Sequence, residues 1–383
     1  MKDSLAVYVH WPYCLSKCPY CDFNSQVLTG GVDQKEWRKA YILELGGYAR
    51  ILPGREIGSV YFGGGTPSLM EPGTVAAVLD KIAGLWRLAG DCEITIEANP
   101  SSSEAEKFTA FRKAGVNRVS LGVQSLRDDA LRFLGRAHDA DEARRAIEIS
   151  ARIFPRFSFD LIYGRNNQTL EMWAAELREA LTFEPEHLSL YQLTIEPGTR
   201  FALLAEERPM TAPEDDAAAM QDVAVDISRS SGLHRYEISN YAVPGGESRH
   251  NLAYWRYDDY LGIGPGAHGR LVLDGERHAT ENAAAPEEWL LMVKEQGHGR
   301  IANEILDIET AQREALIMGL RLTAGIDCAE WRKKFGMELF DFLPEARVRK
   351  LWAEGLVLLE DGKFRATPKG LQKLNGILEY LTR

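Results

Sequence analysis

Long apolar runs, a signal segment and an excess of positive charge are all missing from this 383-residue chain. No stretch approaches the ~18 apolar residues that suggest a membrane-spanning helix. The start, MKDSLAVYVHWP, lacks the basic segment and the longer apolar core of a secretory signal. Acidic residues number 56 and basic residues 45, and the resulting net charge of −11 does not attract phosphate backbones. We therefore expect a cytoplasmic protein with neither a membrane span nor a nucleic-acid partner.

Cysteine is scarce, and three of the five cysteines lie together in HWPYCLSKCPYCDFNS. An odd number argues against a disulfide framework, and a tight group in a reducing compartment indicates metal binding or catalysis. Cys14, Cys18 and Cys21 have the spacing C-x3-C-x2-C, and three thiolates can hold three irons of a cubane cluster while the fourth stays open. The alternative is a zinc site completed by His10 or a distant ligand, although the second pair of ligands that structural zinc sites normally use is lacking.

Apolar runs and helical periods alternate through the first half of the chain. Helical stretches separate six predicted strands, which are LAVYVHW, SVYFGGG, CEITIEANP, NRVSLGVQS, FSFDLIYG and HLSLYQLTI. Strands that alternate with helices predict an α/β fold with a parallel sheet, closed or partly closed into a barrel. We assign residues 1–196 to this barrel, 197–300 to an irregular extension and 301–383 to a small winged-helix-like domain.

The cysteine group follows the first strand, and in α/β barrels the loops after the strands form the active face. C-x3-C-x2-C at this place, with Tyr20 before the last cysteine, resembles the signature of the radical SAM superfamily. Six segments also resemble, in the same order, the oxygen-independent coproporphyrinogen dehydrogenase group: YVHWPYC, FGGGTPS, IEANP, GVQS, GRAH and FDLIYG. The resemblance implies a partial (β/α)6 barrel and a 4Fe-4S cluster on the three cysteines. It also implies that the open iron binds the amino and carboxylate groups of S-adenosylmethionine.

The resemblance further implies a set of contacts for S-adenosylmethionine at the ends of successive strands. Glycines lack a Cβ, so FGGGTPS would let the backbone approach the methionine part closely. Glu97 offers a carboxylate to an ammonium or to ribose hydroxyls, and Arg136 offers a charge-assisted contact to the methionine carboxylate. The predicted contacts are Tyr8, Tyr20, Gly64, Gly65, Thr66, Glu97, Gln124, Arg136, Asp160 and Thr194.

Two features separate the members of this group. Coproporphyrinogen dehydrogenases carry a further cysteine two positions after the third, where this chain has Phe23. HemW-type heme chaperones have Phe there, and they share the motif H-N-x-x-Y-W linked to heme binding, here HNLAYW at 250–255. The resemblance implies that His250 ligates heme iron while Tyr254 and Trp255 pack the macrocycle. The alternative is that His250 caps a loop and the aromatic rings fill a core.

The resemblance thus implies a radical SAM heme chaperone with a 4Fe-4S cluster, S-adenosylmethionine and heme as cofactors. Its expected partners are an electron donor for the cluster and heme-accepting hemoproteins such as respiratory enzymes. One alternative is an enzyme that decarboxylates the propionates of coproporphyrinogen III, and another is a radical enzyme on an unknown substrate with incidental heme. The last 83 residues hold equal numbers of acidic and basic side chains, which favours docking on the barrel over DNA binding. Homodimerisation is left open.

Overall fold

A computed structural model describes residues 4–101 and 106–382, and its first half alternates strands with helices. The strands are β1 (Ser4–Trp11), β2 (Tyr13–Cys14), β3 (Gln26–Val27), β4 (Glu56–Gly64), β5 (Arg87–Ala98), β6 (Arg118–Gln124), β7 (Arg156–Tyr163) and β8 (His187–Gln192). The helices are α1 (Gln34–Ala49), α2 (Pro72–Leu85), α3 (Phe108–Lys113), α4 (Asp128–Phe133), α5 (Ala140–Ile153) and α6 (Leu170–Leu181). All six predicted strands are confirmed, and residues 1–3, 102–105 and 383 of the predicted domains lie outside the described residues.

The six main strands of this half run parallel and pair in chain order. β1 pairs with β4, and the ladder continues through β5, β6 and β7 to β8. Within the described ranges β8 does not pair back to β1, so the sheet stays open at that side. This arrangement confirms the predicted partial α/β barrel.

Each of these strands alternates apolar residues with polar or small ones. In β4 and β5, for example, the buried residues Val60, Phe62 and Ile96 alternate with Tyr61 and Glu97. Because successive side chains of a strand point to opposite faces, the apolar face packs under the helices. The opposite face, which lines the inside of the partial barrel, is polar. We call this polar interior the lumen.

The middle of the chain adds strands to both sides of the same sheet. Its strands are β9 (His234–Arg235), β10 (Asn240–Ala242), β11 (Tyr260–Ile263), β12 (His268–Leu273), β13 (Glu276–Asn282) and β14 (Arg300–Ile305). Its helices are α7 (Arg200–Ala205), α8 (Glu214–Ser230), α9 (Arg249–Trp255) and α10 (Pro286–Gln296). β11 pairs parallel to β1 and carries β12, β13 and β14, whereas β10 pairs antiparallel to β8. The extension is therefore more regular than the sequence indicates.

The C-terminal part forms a second, smaller core. It contains β15 (Ile326–Asp327), β16 (Val357–Glu360), β17 (Lys363–Ala366) and the helices α11 (Ile308–Gly319), α12 (Cys328–Phe335), α13 (Leu339–Phe342), α14 (Glu345–Ala353), α15 (Pro368–Leu371) and α16 (Leu374–Thr382). The three strands pair antiparallel in the order β15-β17-β16. The buried residues of this part cluster separately from the main core, and Tyr257 joins them. β14 crosses the predicted boundary at residue 301, and the domain limits stay predictions. None of the helices in the described ranges has the length and apolar character needed to cross a membrane.

A buried carboxylate ties α1 to the extension. Glu44 is fully buried and accepts hydrogen bonds from the backbone N–H groups of Gly264 and Gly299, both at 2.9 Å. It also accepts from the side chains of Asn282 and Trp289. These donors lie more than 200 residues away in the chain, so one side chain holds several loops of the extension against the barrel.

Removing this acceptor is expected to destabilise the fold. Glu44→Ala leaves several buried N–H donors without a partner, and we expect a loss of about 3 kcal/mol in the free energy of unfolding. Urea denaturation measures it. Glu36→Ala, at an exposed position of the same helix, is the matched control and should cost about 0.5 kcal/mol or less. Equal losses in the two variants would contradict this role of Glu44.

Candidate cofactor site

The three grouped cysteines lie on the loop after β1, at the carboxyl end of the parallel strands. Cys14 ends β2, which pairs with β3, and the N–H of Cys21 donates to the carbonyl of Cys18. All three thiols are free and partly exposed. Burial raises the pKa of the Cys14 and Cys21 thiols, so a bound metal would be needed to hold them as thiolates. Three thiols on one loop fit a cubane cluster, which takes one thiolate on each of three irons.

His10 holds this loop in place and does not reach towards a metal. The ring is buried, its Nε2 lies 2.8 Å from the carbonyl of Asn24, and its Nδ1 lies 3.1 Å from the Tyr8 hydroxyl. Nε2–H therefore donates to the carbonyl, and Nδ1 accepts from the tyrosine. Burial lowers the pKa of His10, which keeps the ring neutral. With both nitrogens bonded, His10 does not supply the fourth ligand of a zinc site.

The glycine turn at 63–65 packs against the end of β1. A Cβ on Gly64 would lie 2.6 Å from the ring of His10, and a Cβ on Gly65 would lie 2.7 Å from the carbonyl oxygen of Tyr13. Gly64 also has φ +115°, a conformation that favours glycine. From the sequence, we expected these glycines to leave room for the methionine part of S-adenosylmethionine, whereas in the structure other parts of the chain fill the space that side chains would need. Their contact with S-adenosylmethionine stays a prediction.

A polar network links two of the cysteines across three strands. The Thr66 hydroxyl donates to Sγ of Cys14 at 3.4 Å and accepts from the Asn99 amide at 3.1 Å. Arg136 donates to the Asn99 side-chain oxygen at 2.6 Å and to Sγ of Cys18 at 3.2 Å. Hydrogen bonds from a cation favour the thiolate form. The predicted residues Thr66 and Arg136 therefore meet at the cysteine loop.

Asn99 joins Thr66 and Arg136 and was not among the residues predicted from the sequence. It lies two positions after Glu97, and the alternation of strand faces was the signal that could have found it.

Two carboxyl groups face the lumen near the same strand ends. Glu97 accepts from the Tyr61 hydroxyl at 2.8 Å and from the N–H of Gly64 at 3.3 Å. Burial raises the pKa of Glu97 to about 7 and that of Asp160 to about 6. Both groups therefore hold a proton more readily than an exposed carboxyl does. They offer acceptors to hydroxyl or ammonium groups of a ligand.

Gln124 shows two signs of a binding residue at the end of β6. Its φ of 69° lies in the left-handed region, which is uncommon for residues other than glycine and often marks functional sites. Its side-chain oxygen is buried and has no hydrogen-bond partner among the described residues. A buried acceptor without a partner is costly unless a ligand or water donates to it. This fits a ribose hydroxyl or an ammonium group.

The remaining predicted contacts are less closely grouped. The Tyr8 ring stacks on that of Tyr61, with centroids 6.3 Å apart. Tyr20 lies within the cysteine loop, where it packs against Phe201 and interacts with Cys18 and Arg136. Thr194 lies after β8, is exposed and donates to Glu196. Thr194 therefore stands apart from the network around the cysteines.

His250 lies deep below this group of residues, on α9. It is 1% exposed, Nδ1 is 3.0 Å from the Ser59 hydroxyl and Nε2 is 2.8 Å from the Tyr254 hydroxyl. Burial, and next the charge of Arg118, lower the pKa of His250 to about 3. Neither nitrogen is free for iron, and a macrocycle has no access to the ring. The residues present therefore do not fit the predicted axial heme bond at His250.

Comparison with known proteins agrees with the fold and the cysteine motif. The model of the radical SAM superfamily matches residues 8–180, and that of the HemN C-terminal domain matches residues 306–372. The chain is similar to coproporphyrinogen III oxidase (HemN) from Escherichia coli, with a TM-score of 0.82 over 99% of this chain and 90% of that one. Their sequences are 22% identical, so this likeness shows the fold alone. Fold and motif together define a radical SAM protein.

Three relatives define the family more closely. The chain is 39% identical to heme chaperone HemW of Escherichia coli, over 81% of this chain and 80% of HemW. It is 32% identical to heme chaperone HemW of Bacillus subtilis, over 95% of this chain and 96% of that protein. It is 39% identical to a Bos taurus protein named radical S-adenosyl methionine domain-containing protein 1, mitochondrial, over 97% of this chain and 86% of that protein. The chain belongs to the HemW-type family of radical SAM proteins. Its predicted cytoplasmic location stays a prediction.

Serine in place of Cys14, Cys18 or Cys21 is expected to abolish the cluster. Anaerobically reconstituted wild-type protein should hold about four irons per chain, as the cubane type implies, and each variant should lose most of the iron and its visible absorption. Cys328→Ser is the matched control, because Cys328 is also partly exposed but begins α12. Full iron content and visible absorption in a variant with serine at all three positions would contradict the cluster. One tightly bound zinc in an iron-free protein would favour the zinc alternative.

The affinity for S-adenosylmethionine is expected to rise with pH through Glu97. The Glu97 carboxyl, with its pKa raised to about 7 by burial, is mostly neutral below that pH and ionised above it. Only the ionised form attracts a positively charged ligand, so affinity should rise between about pH 6 and 8. Calorimetric titration of cluster-loaded wild type and Glu97→Gln measures the difference, because both proteins share any titration of the ligand. Parallel pH profiles in the two proteins would rule out this role.

Proposed function

We propose that this chain is a radical SAM heme chaperone that holds a 4Fe-4S cluster and S-adenosylmethionine, binds heme and passes it to hemoproteins. The observation that carries the proposal is the similarity, along almost the whole chain, to proteins named heme chaperone HemW. The cysteine loop and the polar residues around it support the two radical SAM cofactors. Phe23, exposed on that loop, supports the chaperone over the dehydrogenase.

Three groups of side chains would hold the radical SAM cofactors. Cys14, Cys18 and Cys21 would each ligate one iron. When bound, the cluster and S-adenosylmethionine together supply reductive cleavage of the sulfonium bond. Arg136 and Thr66 would orient the thiols through their hydrogen bonds to sulfur. The chain thus supplies both the ligands and the donors that fix them.

The lumen would bind the parts of S-adenosylmethionine that do not contact the cluster, including the nucleoside. Glu97 and Asp160 offer acceptors whose protons a cationic ligand can displace, since burial raises the pKa of both carboxyls. The unpaired side-chain oxygen of Gln124 offers another acceptor. These groups would position the nucleoside and restrict the entry of water.

Heme binding rests on the family and on the names of its members. We assign no iron ligand, because both nitrogens of His250 are bonded within the chain. The expected acceptors are hemoproteins such as respiratory enzymes, and a one-electron donor would reduce the cluster.

The proposed function and its main rival differ in their products. Wild-type protein carrying the cluster should deliver heme to an apo-hemoprotein faster than heme-loaded albumin does, as followed by the acceptor's absorbance. Under anaerobic, reducing conditions it should not convert coproporphyrinogen III to protoporphyrinogen IX. Slow cleavage of S-adenosylmethionine is compatible with the proposal. Robust turnover of the porphyrinogen, together with no faster heme delivery, would replace the chaperone with the enzyme.

A further inference from the structure

The HNLAYW segment lies on α9 and closes the lumen from the amino ends of the strands. The Ser248 hydroxyl and the N–H of His250 both donate to the Glu93 carboxylate, at 3.3 and 3.2 Å. Glu93 in turn forms a 2.7 Å ion pair with Arg156. The His250 ring reaches Ser59, near the start of β4. Since β4 runs from Glu56 to Gly64, this contact lies away from the cysteine loop.

Both aromatic residues of the motif make contacts within the chain, although the buried indole N–H of Trp255 has no hydrogen-bond partner among the described residues. Tyr254 bonds to Nε2 of His250, and its ring packs edge-on against Tyr260, with centroids 4.5 Å apart. The Trp255 ring lies under the guanidinium of Arg321, and Cζ of Arg321 is 4.7 Å from the ring centroid. The motif therefore serves packing between the barrel and its neighbours.

His250 also contacts the residue that holds Glu97. Its ring stacks on Tyr61, with centroids 4.9 Å apart and planes 21° apart. The Tyr61 hydroxyl donates to Glu97 at 2.8 Å. The stacked His250 ring limits sideways displacement of the Tyr61 ring, and such a displacement would carry the Tyr61 hydroxyl away from Glu97. A continuous line of contacts thus runs from α9 to the lumen carboxylate.

We propose that His250 is a positioning residue, which fixes Glu97 through Tyr61, and that HNLAYW closes the base of the lumen instead of presenting an iron ligand. This rests on the proposed function, because it takes Glu97 as a contact of S-adenosylmethionine. His250 touches neither the cofactor nor the cluster. Its effect is on the orientation of the carboxylate.

His187 provides a matched control within the same chain. It is buried, and its two nitrogens contact the hydroxyls of Ser158 and Tyr236 at 2.7 and 2.9 Å. It repeats the serine and tyrosine partners of His250 but, among the described residues, makes no ring contact with Tyr61. A general loss of buried hydrogen bonds would therefore affect both histidines alike.

Binding of S-adenosylmethionine to heme-free, cluster-loaded protein tests the proposal. His250→Ala should weaken binding about tenfold, equivalent to about 1.4 kcal/mol, with unchanged iron content. His250→Phe, which keeps a ring against Tyr61 but offers no iron ligand, should restore most of the affinity. His187→Ala should bind as wild type does, and the spectrum of added heme should be the same in all four proteins. Wild-type affinity in His250→Ala, or loss of the heme spectrum in His250→Phe, would overturn the proposal.

A second measurement keeps the test independent of the cofactor and of one variant's folding. Tyr61→Phe retains the stack but lacks the hydroxyl, and its loss of affinity should not add to that of His250→Ala. Additive losses would overturn the proposal. If wild-type protein binds no S-adenosylmethionine, the proposed function fails by itself. Hydrogen exchange at residues 59–64 then decides: faster exchange in His250→Ala, but not in His187→Ala, supports positioning, and no difference refutes it.

Discussion

The close approach of the glycine turn to the end of β1 is the constraint on which the candidate site depends. The N–H of Gly65 donates to the carbonyl of Trp11 at 2.7 Å, and the N–H of Thr66 donates to the carbonyl of Tyr13 at 2.9 Å. At positions 64 and 65 a Cβ atom would collide with the residues at the end of β1 and just after it, so only glycine fits there. The turn therefore brings Thr66 to Sγ of Cys14 and fixes the cysteine loop relative to β4. Asn99, just after β5, bonds to both Thr66 and Arg136 and so connects the cysteine loop to the strands beyond β4.

A polar lumen gives the site its electrostatic character. The alternation of polar and apolar residues places tyrosines, serines and carboxyl groups inside the barrel, while the apolar face is covered by helices. Burial favours the neutral forms of Glu97 and Asp160, and Arg136 is the cation that meets the cysteine sulfur. A net charge of −11 over the chain says little about this interior. Local burial decides which groups carry charge there.

The sequence was sufficient for features that depend on local pattern. Period-two alternation predicted the six parallel strands, and the cysteine spacing predicted a loop after the first of them. β11 was not recognised, because its four residues, YLGI, are too few to show a period. The left-handed backbone of Gln124 could not be predicted either, since glycine is the residue that usually indicates such a conformation in a sequence.

Contacts between distant parts of the chain were the other feature that could not be predicted from the sequence. The reason for the glycine turn involves residues of β1 about fifty positions earlier, and the partners of His250 include Ser59, 191 residues away. The resemblance implied that His250 ligates heme iron. The alternative, in which His250 caps a loop and the aromatic rings fill a core, is nearer to the packing observed. Spatial neighbours of this kind cannot be read from spacing.

In the proposed function, the three cysteines would ligate three irons of the cluster and leave the fourth open to S-adenosylmethionine. Hyperfine spectroscopy of the reduced cluster, with S-adenosylmethionine isotope-labelled at its amino nitrogen and carboxylate, tests it most directly. We expect direct coupling of both labelled groups to the cluster, and loss of this coupling when any of Cys14, Cys18 or Cys21 is replaced. A cluster with a fourth protein ligand, and with no coupling to bound S-adenosylmethionine, would contradict it.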